Sequence, residues 1–197
     1  MRQPLIAVCS LLLAVAGCVA PESLMPKSAQ VPAGIDLSGL WQLHDDSMDT
    51  VRRIDDAELA AAGGSVPIST RSSSRDRKSN RASGTLVHVF LETGKSLKIT
   101  QTTAGLFISF DRAIVEEYRF GENREISVGP VIADRVSGWE GRSYAIETLA
   151  SDGAKLVESY RLDNGGQLLL RSILIRHKNE IQLSVEQVFD RIASNYR

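Results

Sequence analysis

Few side chains in this sequence are spaced for catalysis or for metal binding. The three histidines, His44, His88 and His177, lie far apart in the chain and share no spacing typical of metal ligands. His44 is followed by Asp45 and Asp46, and this run is compact enough to hold a metal ion, although a surface turn is the favoured interpretation. We therefore predict no metal site and no cofactor.

The sequence also lacks the patterns that activate a nucleophile or a water molecule. Glu116 and Glu117 are adjacent on a predicted strand, so their side chains point to opposite faces and cannot act together on one substrate. No nucleophile-elbow motif, zinc-protease motif or phosphate-binding loop occurs. We interpret segment 139–142 as a hairpin with exposed charges. We expect no catalytic residues and predict that the protein is not an enzyme.

The first eighteen residues contain the side chain with the clearest predicted modification. A lone Arg2 precedes an apolar run over residues 5–16, which is too short to span a bilayer and ends in small residues. The closing residues, Val15-Ala16-Gly17-Cys18, resemble the lipobox of bacterial lipoproteins. This resemblance implies that residues 1–17 are a signal peptide and that Cys18 carries acyl chains such as palmitate.

Cysteine usage agrees with a lipid anchor. The chain has two cysteines, and Cys9 lies in the segment that cleavage would remove, so the mature chain could form no internal disulfide. The alternative is an ordinary signal peptide, cut nearby, that leaves Cys18 as a free thiol. Val19 follows instead of an aspartate, and resemblance to enterobacterial lipoproteins then implies the outer membrane. We expect the body to face the periplasm.

Composition limits the remaining classes of function. The formal charge of −1 becomes −2 when Arg2 leaves with the signal, so no overall field attracts nucleic acid. No second apolar run is long enough for a membrane span. Residues 18–35 contain three prolines and predict a flexible tether that begins at the acylated cysteine. Residues 36–197 are long enough for a single folded domain.

Residues 36–95 mix several kinds of element. Alternating apolar residues predict a first strand over residues 37–43. Asp55 followed by Glu58 predicts the start of a short helix, which Gly63 would end. The apolar run over residues 86–91 is compatible with a strand or with a short helix.

A basic segment interrupts these elements at residues 69–83. Its five cations and one aspartate give a local charge of +4. The segment could bind an anion or the acidic face of a partner, but a solvated loop is the favoured interpretation because no apolar residue holds it down. The five cations are Arg71, Arg75, Arg77, Lys78 and Arg81.

From residue 96 onward the chain alternates short apolar segments with turns. About eight strands follow one another, with Asp-Gly and Asn-Gly steps that supply the positive φ of tight turns. No intervening helix is long enough for a parallel crossover, so the strands should form an antiparallel meander. A long meander protects its edges by closing on itself. We predict a mainly β fold, an up-and-down meander closing into a barrel or half-barrel, with one short helix near the N-terminus.

Gly39-Leu40-Trp41 opens this predicted meander and resembles the Gly-x-Trp start of the lipocalins. The resemblance implies a lipocalin-like barrel in which Trp41 closes the base beneath an arginine from a late strand. Arg191 is the candidate for that arginine.

Two functions from different classes follow from these patterns. The first is an envelope lipoprotein that binds an apolar or amphipathic small molecule, such as a lipid, in the mouth of its barrel. The alternative is a non-enzymatic interaction or assembly protein that contacts an envelope protein through the basic loop or the barrel surface. Both bind the membrane through the N-terminal lipid, and neither binds nucleic acid.

Overall fold

The computed structural model describes residues 22–63, 86–178 and 180–193. Within these ranges the chain forms ten strands, one α-helix and three short 3-10 helices. In chain order the elements are β1 (Gly39–Leu43), a 3-10 helix (Asp45–Ser47), α1 (Met48–Ala61), a 3-10 helix (Leu86–Phe90), β2 (Ser96–Gln101), β3 (Gly105–Phe110), β4 (Ile114–Arg119), β5 (Glu122–Val128), β6 (Val131–Glu140), β7 (Ser143–Ala150), β8 (Ala154–Asp163), a 3-10 helix (Asn164–Gly166), β9 (Leu168–His177) and β10 (Glu180–Ile192).

All ten strands belong to one antiparallel sheet, which confirms the predicted meander. Their order is β4-β3-β2-β1-β10-β9-β8-β7-β6-β5, so β1 lies between β2 and β10 and joins the two halves of the chain. β4 and β5 are consecutive in the chain but stand at opposite edges of the sheet. Ser137 Oγ on β6 donates to the carbonyl oxygen of Arg119 on β4 at 2.8 Å, so the sheet curls until its edges meet. The result is a barrel with one unpaired seam.

The strands form because alternate residues are apolar and the turns suit tight reversals. On β10, Leu183, Val185 and Phe189 are buried while their neighbours are more exposed. The turn after β7 contains Gly153 at φ +84°, which a residue with a side chain rarely adopts. This agreement between pattern and turn explains why the predicted strands lie close to the observed ones.

Two buried apolar clusters occupy the two ends of the barrel. The base end is the end that contains the cluster Ile35, Leu37, Trp41, Leu43, Leu97, Ile99, Leu106, Ile108, Phe110, Tyr118, Trp139, Tyr144, Ile146, Tyr160, Leu169 and Phe189. The cap end is the end covered by α1 and the 3-10 helix Leu86–Phe90, with the cluster Ile54, Val87, Phe90, Leu91, Ala133, Ala150, Ala154, Leu156, Ile173, Ile175, Leu183 and Val185.

Arg191 closes the base end over Trp41. The guanidinium carbon lies 4.1 Å from the centroid of the fully buried Trp41 ring. Arg191 Nε donates to the carbonyl oxygen of Gly166 at 2.7 Å, and Nη1 donates to that of Ser38 at 2.8 Å. A Cβ at Gly39 would lie 2.7 Å from Arg191 Nη1, so this glycine leaves room for the guanidinium. The structure thus places the two predicted base residues against each other.

The helical elements at the cap end differ in detail from the predicted ones. α1 begins at Met48 after Ser47, well before the predicted start at Asp55. Thr50 and Ile54 are buried, so the apolar face that holds the helix begins before the capping pattern at Asp55. The run over residues 86–91 forms a 3-10 helix, in which Val87 and Phe90, three residues apart, are both buried.

Residues 22–30, which we call the strap, belong to the segment 18–35 that was predicted to be a flexible tether, and they contact the wall of the barrel. The backbone of Ser28 pairs with that of Trp139 through N–H···O distances of 3.2 and 2.8 Å. The side chain of Lys27 is buried and forms ion pairs with Glu140 and Glu147. These contacts join residues more than one hundred positions apart, so a local, proline-rich composition could not predict them.

A continuous chain of charges holds the strap on the outer wall. Glu22 pairs with Arg176 and, at 3.3 Å, with Lys155, which in turn pairs with Glu147. Burial works to raise the pKa of Glu147, but hydrogen bonds from Lys155 and Lys27 outweigh it and the pKa is lowered. A Cβ at Gly138 would lie 2.6 Å from the carbonyl oxygen of Ser28, so the close approach of the strap requires a glycine there.

The base contacts predict the cost of removing Arg191. Arg191→Ala loses two charge-assisted hydrogen bonds and the contact with Trp41, so the free energy of unfolding should fall by about 2–4 kcal/mol. Urea titration followed by tryptophan fluorescence measures this change. The control is Arg161→Ala. Arg161 is exposed, and its guanidinium nitrogens lie 3.8 Å from the carboxylates of Asp163 and Glu186, so these ion pairs are weak. Equal stability losses in the two variants would contradict the role given to Arg191.

Candidate functional site

A layer of charged and polar side chains lies inside the barrel between the two apolar clusters. Arg171 on β9 and Glu158 on β8 are almost fully buried, and Arg171 Nη2 lies 2.5 Å from Glu158 Oε1. The same nitrogen donates to the carbonyl oxygen of Glu92 at 2.6 Å. Tyr160 donates its hydroxyl to Glu158 Oε1 at 3.2 Å. Alternation along each strand brings these side chains inward, because they follow the register of the apolar core.

Aromatic rings enclose the guanidinium of this buried pair. The guanidinium carbon of Arg171 lies 5.1 Å from the ring centroid of Phe110 and 5.5 Å from that of Tyr160. Burial works to lower the pKa of Arg171, but Tyr160 and Glu158 outweigh it, so the pKa is raised and the guanidinium stays charged. The Nε of Arg171 has no hydrogen-bond partner among the residues that the structure describes. Protein side chains therefore occupy the middle of the barrel.

At the cap end the barrel is open along the seam between β4 and β5. Tyr118, nearer the base on β4, is buried, but Ile114 on the same face is 42% exposed. On β5, Arg124 and Val128 lie opposite Arg135 and Val131 of β6, and Val128 is 48% exposed. Inward-facing residues are exposed here because, within the described ranges, β4 and β5 form no ladder with each other and no other strand lies over them. The missing pairing thus creates a mouth.

A pocket of about 280 Å³ occupies this mouth, and we call it the gap pocket. It lies between β4, β5 and β6 and beneath the 3-10 helix Leu86–Phe90. Its apolar side chains include Val89 and Val128, both of which are substantially exposed. The residues that line the gap pocket include Val89, Phe90, Glu92, Glu116, Arg124, Val128 and Arg135.

Arg135 forms the buried, charged wall of the gap pocket. Its side chain is 5% exposed. Nε donates to Thr148 Oγ1 at 3.0 Å, and Nη1 lies 3.6 Å from Glu116 Oε2. The guanidinium carbon lies 5.4 Å from the ring centroid of Tyr118 and 5.8 Å from that of Phe90. The site therefore combines a fixed hydrogen-bonding group with exposed apolar side chains.

Glu92 adds a carboxyl group whose charge is disfavoured. Burial raises its pKa, and the carboxylates of Glu116 and Glu158 raise it further, against the effect of Arg171 and Arg135. With Glu125, which also lines the pocket, three carboxyl groups face two guanidinium groups there. The site is thus close to electrically balanced, with a slight excess of acid.

The histidines lie in separate parts of the fold. His44 is 44% exposed, and its Nδ1 lies 2.6 Å from Asp190 Oδ2. This hydrogen bond, together with the charge of Asp190, raises the pKa of His44. His88 is partly buried, which lowers its pKa, and His177 Nε2 lies 3.0 Å from the carbonyl oxygen of Asp152. Among the described residues no group of His, Cys, Asp and Glu side chains could hold a metal ion.

Two sets of predicted site residues fall outside the part of the chain that the structure describes. They are Cys18, the predicted lipid attachment point, and the five cations Arg71, Arg75, Arg77, Lys78 and Arg81. In residues 22–63, 86–178 and 180–193 no helix is both long enough and apolar enough to cross a bilayer.

The interior charges were not predicted from the sequence, although the strand patterns contain a signal for them. Glu158 stands between Leu156 and Tyr160 in the alternation of β8, and Arg171 stands between Leu169 and Ile173 in that of β9. A charge at an inward position predicts a buried partner, because an isolated buried charge is costly. The pairing partner itself depends on the register between β8 and β9.

Comparison with known proteins found likeness at the level of solved structures. No protein-family profile matches the chain, and no curated protein matches it. A secretory abundant heat soluble protein of Ramazzottius varieornatus is 12% identical over 79% of this chain and 94% of its own, with a TM-score of 0.46. The REP1-NXSQ fatty acid transporter is 9% identical over 81% and 98%, with a TM-score of 0.47.

Lipid binding protein 8 of Caenorhabditis elegans is a third similar structure. It is 11% identical over 83% of this chain and 99% of its own, with a TM-score of 0.45. Identities of this size carry no information on ligand or reaction. The function proposed for this chain is therefore derived from its own geometry.

Because Arg171 and Glu158 are buried together, we expect that removing one of them costs more stability than removing both. Arg171→Met leaves the Glu158 carboxylate buried without its cation and should lower the free energy of unfolding by about 3–5 kcal/mol. The double variant Arg171→Met, Glu158→Leu removes both charges and should recover most of that loss. Chemical unfolding of both variants measures the difference. A double variant that is less stable than the single one would contradict this account of the layer.

The raised pKa of Glu92 implies that the stability of the protein depends on pH. Its folded-state pKa is raised above the ordinary value of 4.5, so its stabilising contribution is complete at lower pH and is lost as the pH rises through the raised pKa. Glu92→Gln should therefore raise the free energy of unfolding at pH 7 relative to the parent and leave it nearly unchanged at pH 4. Urea titrations at both pH values test this, with Glu180→Gln, an exposed site, as the control.

Proposed function

We propose that this protein is a non-enzymatic, lipid-anchored binding protein that takes up an amphipathic small molecule in the gap pocket. The observation that carries the proposal is the exposure of inward-facing side chains where β4 and β5 fail to pair. A pocket of about 280 Å³ there is near the lower end of the sizes typical of small-molecule sites, about 300–1,000 Å³. The gap pocket thus suits a head group and the first part of a chain.

The charges of the gap pocket favour a particular kind of head group. Arg135 is buried and offers hydrogen bonds at a fixed position, while Glu92 and Glu116 accept hydrogen bonds beside it. An anionic head would meet three carboxyl groups, so we infer that an uncharged, hydrogen-bonding head is preferred. Val89 and Val128 would contact the apolar chain of the ligand.

The proposed location comes from the sequence. Acylation at Cys18 would attach the protein to the outer membrane with its body in the periplasm. A membrane-bound binding protein has direct access to amphiphiles, because they concentrate in the same bilayer. This location and the gap pocket together favour an envelope protein that holds a lipid-like molecule.

Two dansyl-labelled probes test the preference. One is an undecanamide and the other the corresponding undecanoate, each with the dansyl group at the far end of the chain. The protein carries Cys18→Ala, which removes acyl chains that would compete for the site. We expect the amide to bind more tightly than the undecanoate in a fluorescence titration. Val128→Glu places a carboxylate in the apolar rim and should weaken amide binding about tenfold, or about 1.4 kcal/mol.

The matched control is Val115→Glu. Val115 is also exposed, at 63%, but it lies on the outer face of β4. This variant should bind the amide as tightly as the parent does. The proposal fails if neither probe binds, or if the two substitutions weaken binding equally.

A further inference from the structure

The strap begins at the cap end of the barrel and runs toward the base end. Glu22 contacts Lys155 near the start of β8 and Arg176 near the end of β9. It also lines a surface pocket with Ile132 and with Asp152, which lies in the turn between β7 and β8. Six residues further on, the backbone of Ser28 pairs with Trp139, a member of the base cluster.

The strap therefore fixes the point at which the chain leaves the barrel. Three residues separate Cys18 from Glu22, so their Cα atoms are at most about 14 Å apart at roughly 3.5 Å per residue. The six residues from Glu22 to Ser28 cover about 20 Å along the wall at roughly 3.3 Å per residue. An anchor at Cys18 would thus be tied within about 14 Å of Glu22, whose ion-pair partners lie at the cap end.

The two ends of the barrel also expose different kinds of side chain. At the cap end, exposed apolar residues lie in or beside the 3-10 helix, the β5–β6 turn and the β9–β10 turn; they are Leu86, Val89, Val128, Ile132 and Ile181. At the base end, the exposed turn residues include Glu140, Arg142, Asp163 and Asn164, and Ile192 at the end of β10 is an exposed apolar residue there, at 46%. Among the described residues, more large apolar side chains are therefore exposed at the cap end than at the base end.

We propose that the strap holds the barrel with its cap end against the bilayer, so that the gap pocket opens toward the lipid. The partner surface is the membrane into which the acyl chains of Cys18 insert, and the proposal rests on the anchor in the proposed function. Exposed valine, leucine and isoleucine side chains gain from contact with the lipid interface in the same way as from burial in a core. The ion pairs of the buried Lys27 and the half-buried Glu22 hold the strap on the wall and so keep the barrel from turning over on its anchor.

Quenching of a fluorescent label tests this orientation. The mature chain would have Cys18 as its only cysteine, so a single introduced cysteine can be labelled selectively. Ile181→Cys places a bimane label at the cap end, and Arg142→Cys places one at the base end; both positions are exposed. The acylated full-length chain is inserted into phosphatidylethanolamine–phosphatidylglycerol vesicles that contain lipid with a spin-labelled head group.

We expect the cap-end label to lose most of its fluorescence and the base-end label to keep nearly all of it. A flexible Gly-Ser insertion between residues 21 and 22, long enough to span the barrel, leaves the strap intact and should remove most of this contrast. Equal quenching of the two labels in the parent, or stronger quenching at the base, overturns the orientation. A chain that incorporates no palmitate is a different result, because it refutes the anchor and thereby the proposed location as well.

Discussion

β4 and β5 are the two edge strands of the sheet and form no ladder with each other, and this break determines where the interior of the barrel is accessible. The other eight neighbouring pairs along the meander and the β1–β10 contact are joined by antiparallel ladders. At the base end the seam is closed by side chains, since Ser137 bonds to Arg119 and the rings of Phe120, Trp139 and Tyr144 pack together. Toward the cap end the described residues include no such aromatic cluster across the seam, and the gap pocket forms there.

The charged layer explains why we propose a ligand site at the mouth and not in the middle of the barrel. Arg171 and Glu158 fill the barrel between the two apolar clusters, and separating them would leave two costly buried charges. A ligand that enters at the cap end therefore meets Arg135 and Glu92 before it reaches this pair. The strap also bears on this end of the barrel. Its first residue, Glu22, forms ion pairs with Lys155 and Arg176 at the cap end.

Patterns within a strand or a turn could be predicted from the sequence, and contacts between distant segments could not. Alternation on β9 and β10 and turns such as that at Gly153 predicted the meander, and Gly39-Leu40-Trp41 indicated the base. The start of α1 was wrong because burial of Thr50 and Ile54 outweighs the local capping pattern.

The strap and the gap pocket depend on long-range contacts. Lys27 meets Glu147 only after the barrel has closed, and Glu116 faces Arg135 only when the seam is formed. Neither pair has a spacing that a sequence pattern would recognise. Inward charges such as Glu158 were the one available sign that the interior is not purely apolar.

Native mass spectrometry of the acylated protein, extracted from the membranes of the cells that make it, shows whether the gap pocket carries a small molecule. The account predicts a reproducible additional mass on the parent chain that is lost from the variant altered at Val128 and kept by the variant altered at Val115. A parent chain that carries only its own acyl groups would contradict the claim that the open seam holds a small molecule.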